Sequence, residues 1–166
     1  MPADAAPNEP VHILYGTQSG NSEQLANEAA TLAEASGLLP TVASLDDVSM
    51  EQLAQMTSMI CVISTYGEGD MPDSAELFWD ALSASTAPRL ETLRYGVLAL
   101  GDTSYEHFCR AGKLLDTRLE QLGARRIAAR LDCDVDYEEP AAAWLQTAIS
   151  DVGGRQATLE APPAAV

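Results

Sequence analysis

The sequence predicts a doubly wound α/β fold, in which a five-stranded parallel sheet of order 2-1-3-4-5 carries helices on both faces. Short apolar runs alternate along the chain with longer segments whose apolar residues recur at helical spacing. The run MICVIS at 59–64 is almost wholly apolar, as a strand buried on both faces of a parallel sheet should be. The pattern begins with a strand, and right-handed crossovers between parallel strands leave few other packings.

The strands and helices can be assigned in chain order. In the first helix, Leu25, Ala29 and Leu32 fall on one face, and Gly37 supplies the left-handed conformation that ends a helix. We predict strands at Val11 to Tyr15, Thr41 to Leu45, Met59 to Ser64, Tyr95 to Leu100 and Ile127 to Leu131. About five helices are expected, and those with clear bounds are Asn21 to Ser36, Ser74 to Leu82, Arg110 to Leu122 and Glu138 to Val152.

Both ends of the 166-residue chain differ in composition from its middle. Residues 1–10 are rich in Ala and Pro, which predicts a flexible N-terminal tail, and residues 153–166 read as a Pro/Ala-rich tail or linker. The segment 11–152 is long enough for one domain with its own hydrophobic core. No apolar run approaches the roughly 18 residues of a membrane span, and no signal peptide is evident. We therefore expect a cytoplasmic protein with no membrane contact.

Acidic residues dominate the charge of the chain. There are 25 acidic and nine basic residues, for a net charge of −16, and every base lies at or after Arg89. Such a field repels nucleic acid and favours a cationic protein partner, although a solvated acidic surface is the simpler interpretation. The three cysteines, Cys61, Cys109 and Cys133, have neither metal-ligand spacing nor the even number of a disulfide framework.

The segment after the first strand has the composition of a phosphate site. Residues 16–22, GTQSGNS, bring glycines and hydroxyl side chains to the start of a helix, where free backbone N–H groups and the helix dipole favour an anion. The segment has no lysine and does not match GxGxxG, so it is neither a nucleoside-triphosphatase loop nor a dinucleotide fingerprint. An ordinary polar helix cap is the alternative interpretation.

The segments after the third and fourth strands each contain a tyrosine where no core residue is expected. Residues 64–70, STYGEGD, place Tyr66 before two glycines, and residues 101–108, GDTSYEHF, contain Tyr105. Adjacent parallel strands end at one sheet edge, so the two rings are placed to stack on opposite faces of one planar ligand. An exposed turn tyrosine is the alternative for Tyr66. Phe108 is expected to pack under the next helix, and His107 lacks the neighbours of a catalytic triad.

A fourth, weaker segment follows the fifth strand. Residues 132–139, DCDVDYEE, alternate acidic residues but lack the glycine and terminal glutamate of a calcium loop. A solvated cap of the last helix is the better interpretation. We nevertheless expect Asp134 to reach the edge of the ligand from the end of the fifth strand.

Taken together, these motifs resemble a known family. GTQSGNS, STYGEGD and LGDTSYEHFCRAGK are similar to the three FMN-binding loops in the flavodoxin-like domain of diflavin reductases, over roughly residues 11 to 152. GDTSYEHFC and RLDCDVDYEE are most similar to the flavoprotein subunit of NADPH-dependent sulfite reductase. Tyr66 and Asp70 stand where that subunit typically has Gln and Glu, and there the chain looks more like the microsomal NADPH cytochrome reductase. This mixture leaves the electron acceptor open.

The resemblance implies which residues bind FMN. Tyr66 and Tyr105 would stack on the two faces of the isoalloxazine, and Asp134 would lie near its edge. The phosphate would be held by Thr17, Gln18, Ser19, Gly20, Asn21 and Ser22. The isoalloxazine and ribityl chain would be enclosed by Ser64, Thr65, Tyr66, Gly67, Leu100, Gly101, Asp102, Thr103, Ser104, Tyr105, Glu106, His107, Phe108 and Cys109.

The resemblance also implies an electron-transfer function. The chain would accept electrons from an NADPH/FAD-containing reductase domain or protein and pass them singly to a cationic haem or iron-sulfur protein. The alternative is a free-standing flavodoxin-type carrier with no covalently attached reductase. A signalling receiver domain shares the strand order but needs an acidic pair after the first strand, where this chain has Tyr15 and Gly16. A hydrolase is disfavoured because the G-x-S-x-G motif is missing.

Overall fold

A computed structural model describes residues 10–17, 20–65 and 69–153. Five strands form one parallel sheet of order β2-β1-β3-β4-β5, which confirms the predicted fold. The strands are β1 (Pro10–Gly16), β2 (Leu39–Ser44), β3 (Ser58–Ser64), β4 (Arg94–Leu100) and β5 (Arg125–Cys133). The helices are α1 (Asn21–Ala35), α2 (Met50–Gln55), α3 (Glu76–Ser83), α4 (Arg110–Gln121) and α5 (Glu138–Gly153). Short 3-10 turns span Leu45–Asp47 and Asp73–Ala75.

The three central strands are buried on both faces. Met59, Cys61 and Ile63 of β3 belong to a core on the side of α3 and α4, whereas Ile60 and Val62 belong to a core on the side of α1 and α5. This alternation follows from the two-residue period of a strand. Helices therefore cover both sheet faces, as predicted, and in the part of the chain that the structure describes none is long and apolar enough to cross a bilayer.

The structure corrects several predicted boundaries. Strand β2 begins at Leu39 and ends at Ser44, whereas Thr41 to Leu45 was expected, because Leu45 turns inward, fully buried, as the first residue of a 3-10 turn. Strand β5 runs from Arg125 to Cys133, beyond the apolar run that predicted it, because an edge strand tolerates polar residues on its open side. The predicted 1–10 and 153–166 tails lie outside the described residues except for Pro10 in β1 and Gly153 in α5.

Helix α2 has a local signal that the periodicity analysis missed. The side chain of Ser49 accepts a hydrogen bond from the Gln52 N–H at 3.1 Å, and the Gln52 side chain accepts one from the Ser49 N–H at 2.8 Å. This reciprocal capping box satisfies two N–H groups that a helix start otherwise leaves unpaired. The helix is only six residues long, which is too short for a clear helical period.

The carboxylate of Asp116 links α4 to the edge of the sheet. It is 3% exposed and accepts hydrogen bonds from the Tyr95 hydroxyl at 2.9 Å, from Arg126 Nε at 2.8 Å and from Arg130 Nη1 at 2.7 Å. Burial, together with the neighbouring carboxylate, raises the pKa of Tyr95, so its hydroxyl stays protonated and donates. The network fastens β4 and β5 to the helix that follows the third predicted ligand loop.

We expect Asp116→Ala to lower the free energy of unfolding by about 2 to 3 kcal/mol, because it removes the carboxylate that accepts from two guanidinium groups and leaves the Tyr95 hydroxyl only the Asp116 carbonyl, at 3.1 Å. The guanidinium groups remain partly solvated, which keeps the loss below that of a fully buried pair. Urea unfolding followed by circular dichroism measures the effect. The control is Glu120→Ala, which removes an exposed partner of Arg126 and should cost about 0.5 kcal/mol or less. Equal losses in the two variants would contradict the assignment.

Candidate cofactor-binding site

Three loops meet at the carboxyl edge of the sheet. Loop 1 (residues 17–20) follows β1, loop 2 (residues 65–72) follows β3, and loop 3 (residues 101–109) follows β4. The ends of these strands are held together, since Ser64 Oγ donates to the Gly16 carbonyl at 3.4 Å and the Thr65 N–H donates to the Leu100 carbonyl at 3.0 Å. From β1 the chain first adds β2 on one side of the sheet and then β3 on the other side. The point between β1 and β3 is therefore the topological switch point, where open α/β sheets bind ligands.

Loop 1 leads into α1 through Gly20. Gly20 precedes the helix with φ 102°, a left-handed conformation that favours glycine, and its N–H donates to Thr17 Oγ1 at 2.7 Å. That bond uses the Gly20 N–H within the loop and leaves the hydroxyl proton of Thr17 available to a ligand. Gln18 and Ser19 lie outside the described residues, so their predicted role stays a prediction.

A buried hydroxyl at the start of α1 lacks a partner. Ser22, the second residue of the helix, is fully buried, and its Oγ has no hydrogen-bond partner within the described segments. The residue at the N-cap, Gly20, has no side chain to cap the first N–H groups of the helix. Buried hydroxyl groups are normally paired, and helix N-termini attract anions. The chemistry of this donor set fits a phosphate group.

Loop 2 is attached to the start of α4. Thr65 Oγ1 accepts the N–H of Ala111 at 2.9 Å, which caps the first turn of α4. Further along the loop, Arg110 Nη1 donates to the Gly69 carbonyl at 3.3 Å. A side chain at Gly69 would collide with His107, since a Cβ there would lie 2.9 Å from the Cβ of His107. Tyr66 and Gly67, the predicted ring-binding residues between these anchors, lie outside the described residues.

Loop 3 is shaped by two carboxylates. Asp102 Oδ1 accepts from the N–H of Ser104 at 2.9 Å and from its hydroxyl at 2.6 Å. From the end of β5, Asp134 accepts from the Thr103 N–H at 3.0 Å and from the Thr103 hydroxyl at 2.6 Å. These bonds precede Tyr105, which is 40% exposed at this edge of the sheet, so its ring is open to contact with a ligand.

The family model for flavodoxin matches residues 13–144. The chain belongs to the flavodoxin family. The chain is 48% identical over 99% of its length to the sulfite reductase [NADPH] flavoprotein alpha-component of Bacillus subtilis strain 168, and 43% identical over 90% to that of Shewanella sp. strain MR-4. It spans about a quarter of the length of these relatives, 27% and 25% respectively.

Solved flavodoxins have the same fold. A flavodoxin of Streptococcus pneumoniae TIGR4 superimposes with a TM-score of 0.78 at 25% identity, covering 88% of this chain and 99% of that one. A single-residue variant of the Pseudomonas aeruginosa flavodoxin superimposes with a TM-score of 0.76 at 28% identity, covering 87% and 99%. The cofactor of the flavodoxin domain is FMN, as the sequence predicted.

The described residues of this flavodoxin domain fit the two ends of FMN. Ser22 and the N–H groups at the start of α1 suit the phosphate, and the exposed ring of Tyr105 suits the flat isoalloxazine. Of the other predicted residues, Asn21 begins α1, while the side chains of Leu100 and Cys109 are buried in the protein, so these two have only main-chain atoms to offer a ligand. Burial raises the pKa of Cys109 to about 12, which keeps its thiol neutral.

Two of the remaining loop 3 residues are notable for their backbone conformation, and the others present their side chains at or near the surface. Gly101 allows a close approach, because a Cβ there would lie 2.9 Å from both the N and the Sγ of Cys109. Cys109 itself has φ 55°, a left-handed conformation that is uncommon outside glycine, and it precedes α4. The Nζ of Lys113 lies over the ring of Phe108, 5.6 Å from the ring centroid. Glu106 and His107 are exposed.

Sequence reasoning missed two residues that shape the site. Arg110 was assigned only as the start of a helix, yet it holds loop 2 through the Gly69 carbonyl, 41 residues away in the chain. Ser74 was assigned only as a helix start, yet it contacts Thr17 in loop 1 across 57 residues. No local pattern marks either contact, because each depends on how the crossovers return the chain to the same edge.

The hydrogen bonds from Thr103 and Val135 lower the pKa of Asp134 below the ordinary value of 3.8 for an aspartate. Because the folded-state pKa is depressed, the order that this carboxylate gives loop 3 is fully present above pH 3.8 and is lost as the pH falls through the lowered pKa. We expect the Thr103 amide resonance, followed by NMR against pH, to titrate with a midpoint below 3.8. Asp134→Ala should abolish that titration. A midpoint above 3.8 would contradict the geometry.

Proposed function

We propose that this flavodoxin domain is the FMN electron-transfer module of an NADPH-dependent diflavin reductase. In this role it accepts electrons from an NADPH/FAD-containing reductase and passes them singly to a haem or iron-sulfur acceptor. The observation that carries the proposal is the meeting of a phosphate-type donor set at α1 with an exposed ring in loop 3 at one edge of the sheet. The likeness to sulfite reductase flavoprotein alpha-components supports the choice of reductase class.

Each loop has a separate task in binding. The start of α1, with Ser22, holds the phosphate through N–H and hydroxyl donors. Tyr105 packs on one face of the ring, and Tyr66 is assigned to the other face. Asp102 and Asp134 fix loop 3 before the ligand arrives, so less conformational freedom is lost on binding. When bound, FMN supplies the capacity to hold one or two electrons.

The surface around the site favours a cationic acceptor. Glu23 in α1, Asp70 in loop 2 and Glu106 in loop 3 are exposed near this edge of the sheet. Two exposed bases also lie at this edge, Arg110 beside loop 2 and Lys113 beside loop 3. The acidic residues outnumber these two bases, so the net field at the edge favours a cationic partner.

A free-standing flavodoxin-type carrier is the second candidate. The chain covers 99% of the length of the Streptococcus pneumoniae flavodoxin, which supports this candidate. The two candidates share the cofactor and the electron-transfer step. They differ in whether the reductase that supplies electrons lies on the same polypeptide, and the full reading frame around this sequence decides between them.

Binding of three flavins tests the cofactor and the ring contact. We expect the apoprotein to bind FMN more tightly than riboflavin and FAD, because only FMN ends in a phosphate that fits the start of α1. Tyr105→Ala should weaken FMN and riboflavin equally, by about tenfold, through the loss of ring packing, and Tyr105→Phe should restore most of it. Quenching of flavin fluorescence measures each affinity. Tyr137→Ala, at the start of α5, is the control.

Two results would contradict this prediction. One is an apoprotein that binds no FMN. The other is a Tyr105→Ala variant with the FMN and riboflavin affinities of the unchanged protein.

Salt dependence tests the cationic acceptor. We expect the reduced holoprotein to transfer electrons to cytochrome c, a cationic haem protein, at a rate that falls at least tenfold from about 0.01 M to about 0.5 M salt, because salt screens the attraction. Stopped-flow absorbance of the haem measures the rate. Ferricyanide, an anion, is the control, and its reduction should become faster with salt. A rate to cytochrome c that is unchanged or increased by salt would reject an electrostatic preference for cations.

A further inference from the structure

One hydroxyl group pairs with both backbone groups of the first residue after β1. The Thr17 N–H donates to Ser74 Oγ at 2.8 Å, and the same hydroxyl donates to the Thr17 carbonyl at 3.1 Å. Thr17 lies beyond the last residue of β1 that pairs with β3, which is Gly16. Ser74 therefore supplies the donor and the acceptor that a neighbouring strand would supply inside the sheet.

Ser74 is itself held by the sheet. Its carbonyl accepts a hydrogen bond from Ser44 Oγ, at the end of β2, at 3.2 Å. The next residue, Ala75, is buried against β1, and a Cβ at Gly16 would lie 2.9 Å from the Cβ of Ala75. The position of the Ser74 hydroxyl is thus set by β1 and β2 together.

The effect of this contact extends through loop 1 to α1. Thr17 Oγ1 accepts the N–H of Gly20, and the Gly20 carbonyl accepts the N–H of Gln24 in the first turn of the helix. The two described ends of the loop, Thr17 and Gly20, are therefore joined to each other and, through Ser74, to the sheet. A shift of Thr17 would move the donors that face the phosphate.

We propose that Ser74 is a positioning residue that sets the preference of the site for FMN over riboflavin. It holds the backbone of Thr17 so that the Thr17 hydroxyl and the N–H groups at the start of α1 converge on the phosphate. The inference rests on the proposed FMN site and adds a residue from outside the three loops that the sequence assigned to it. Riboflavin has no phosphate, so its binding does not depend on this arrangement.

The test compares FMN and riboflavin affinities of the apoprotein of the full chain. We expect Ser74→Ala to weaken FMN about tenfold, since it removes two hydrogen bonds that hold the loop, and to change riboflavin less than twofold. Ser74→Thr retains the hydroxyl and should recover most of the FMN affinity. The phosphorus NMR resonance of bound FMN should shift in Ser74→Ala and return towards the original position in Ser74→Thr.

The matched control is Ser83→Ala. Ser83 also donates a hydroxyl to a backbone carbonyl, that of Trp79 at 2.7 Å, but within α3 and without a contact to loop 1 in the described part of the chain. It should leave both affinities unchanged. Thermal unfolding of each apoprotein checks that the variants fold. If Ser74→Ala does not fold, Ser44→Ala loosens the carbonyl of Ser74 instead, and it should weaken FMN two- to threefold and riboflavin not at all.

The outcomes separate this inference from the proposed function. Equal losses for FMN and riboflavin in Ser74→Ala, or no loss for either, would overturn the positioning role while leaving FMN binding intact. If Ser44→Ala is the variant measured, unchanged or equally reduced affinities overturn it in the same way. Failure of the unchanged protein to bind FMN would instead overturn the proposed function.

Discussion

The parallel pairing of β1, β3 and β4 is the constraint on which the rest of the structure depends. Gly16 of β1 is level with Ile63 of β3, and Ser64 of β3 is level with Leu100 of β4, so the three strands end at one edge of the sheet. Both faces of these strands are buried, and a shift of register by one residue would exchange the two faces. The hydrophobic core therefore determines where the ligand loops begin.

Side chains from distant parts of the chain then hold the loops. Ser74 binds the backbone of loop 1, Thr65 caps α4, Arg110 holds loop 2 at Gly69, and Asp134 binds loop 3. All four contacts join a side chain to a main-chain group. A loop outside the sheet has main-chain donors and acceptors that no strand partner satisfies, and these side chains satisfy them. The same bonds give the cofactor a preorganised site.

Pairing within the protein also affects the surface charge. The chain has nine bases against 25 acids, and several of these bases are paired with other groups of the protein. Arg126 and Arg130 converge on the buried Asp116, and Arg118 donates to the carbonyls of Leu82 and Ala84. Bases engaged in this way contribute less to the external field than their number suggests. The acidic character of the surface thus follows from the fold as well as from the composition.

The sequence alone determined the fold class, the strand order and the three loops, because strand alternation, helical period and loop composition are local properties of the chain. It also determined that α1 begins after a loop of small and hydroxylated residues. The tertiary structure decided which partners complete these loops. Ser74, Arg110 and the pairing of Asp134 with Thr103 have no local signal, since contacts over 57, 41 and 31 residues form only after the crossovers have placed the segments at the same edge.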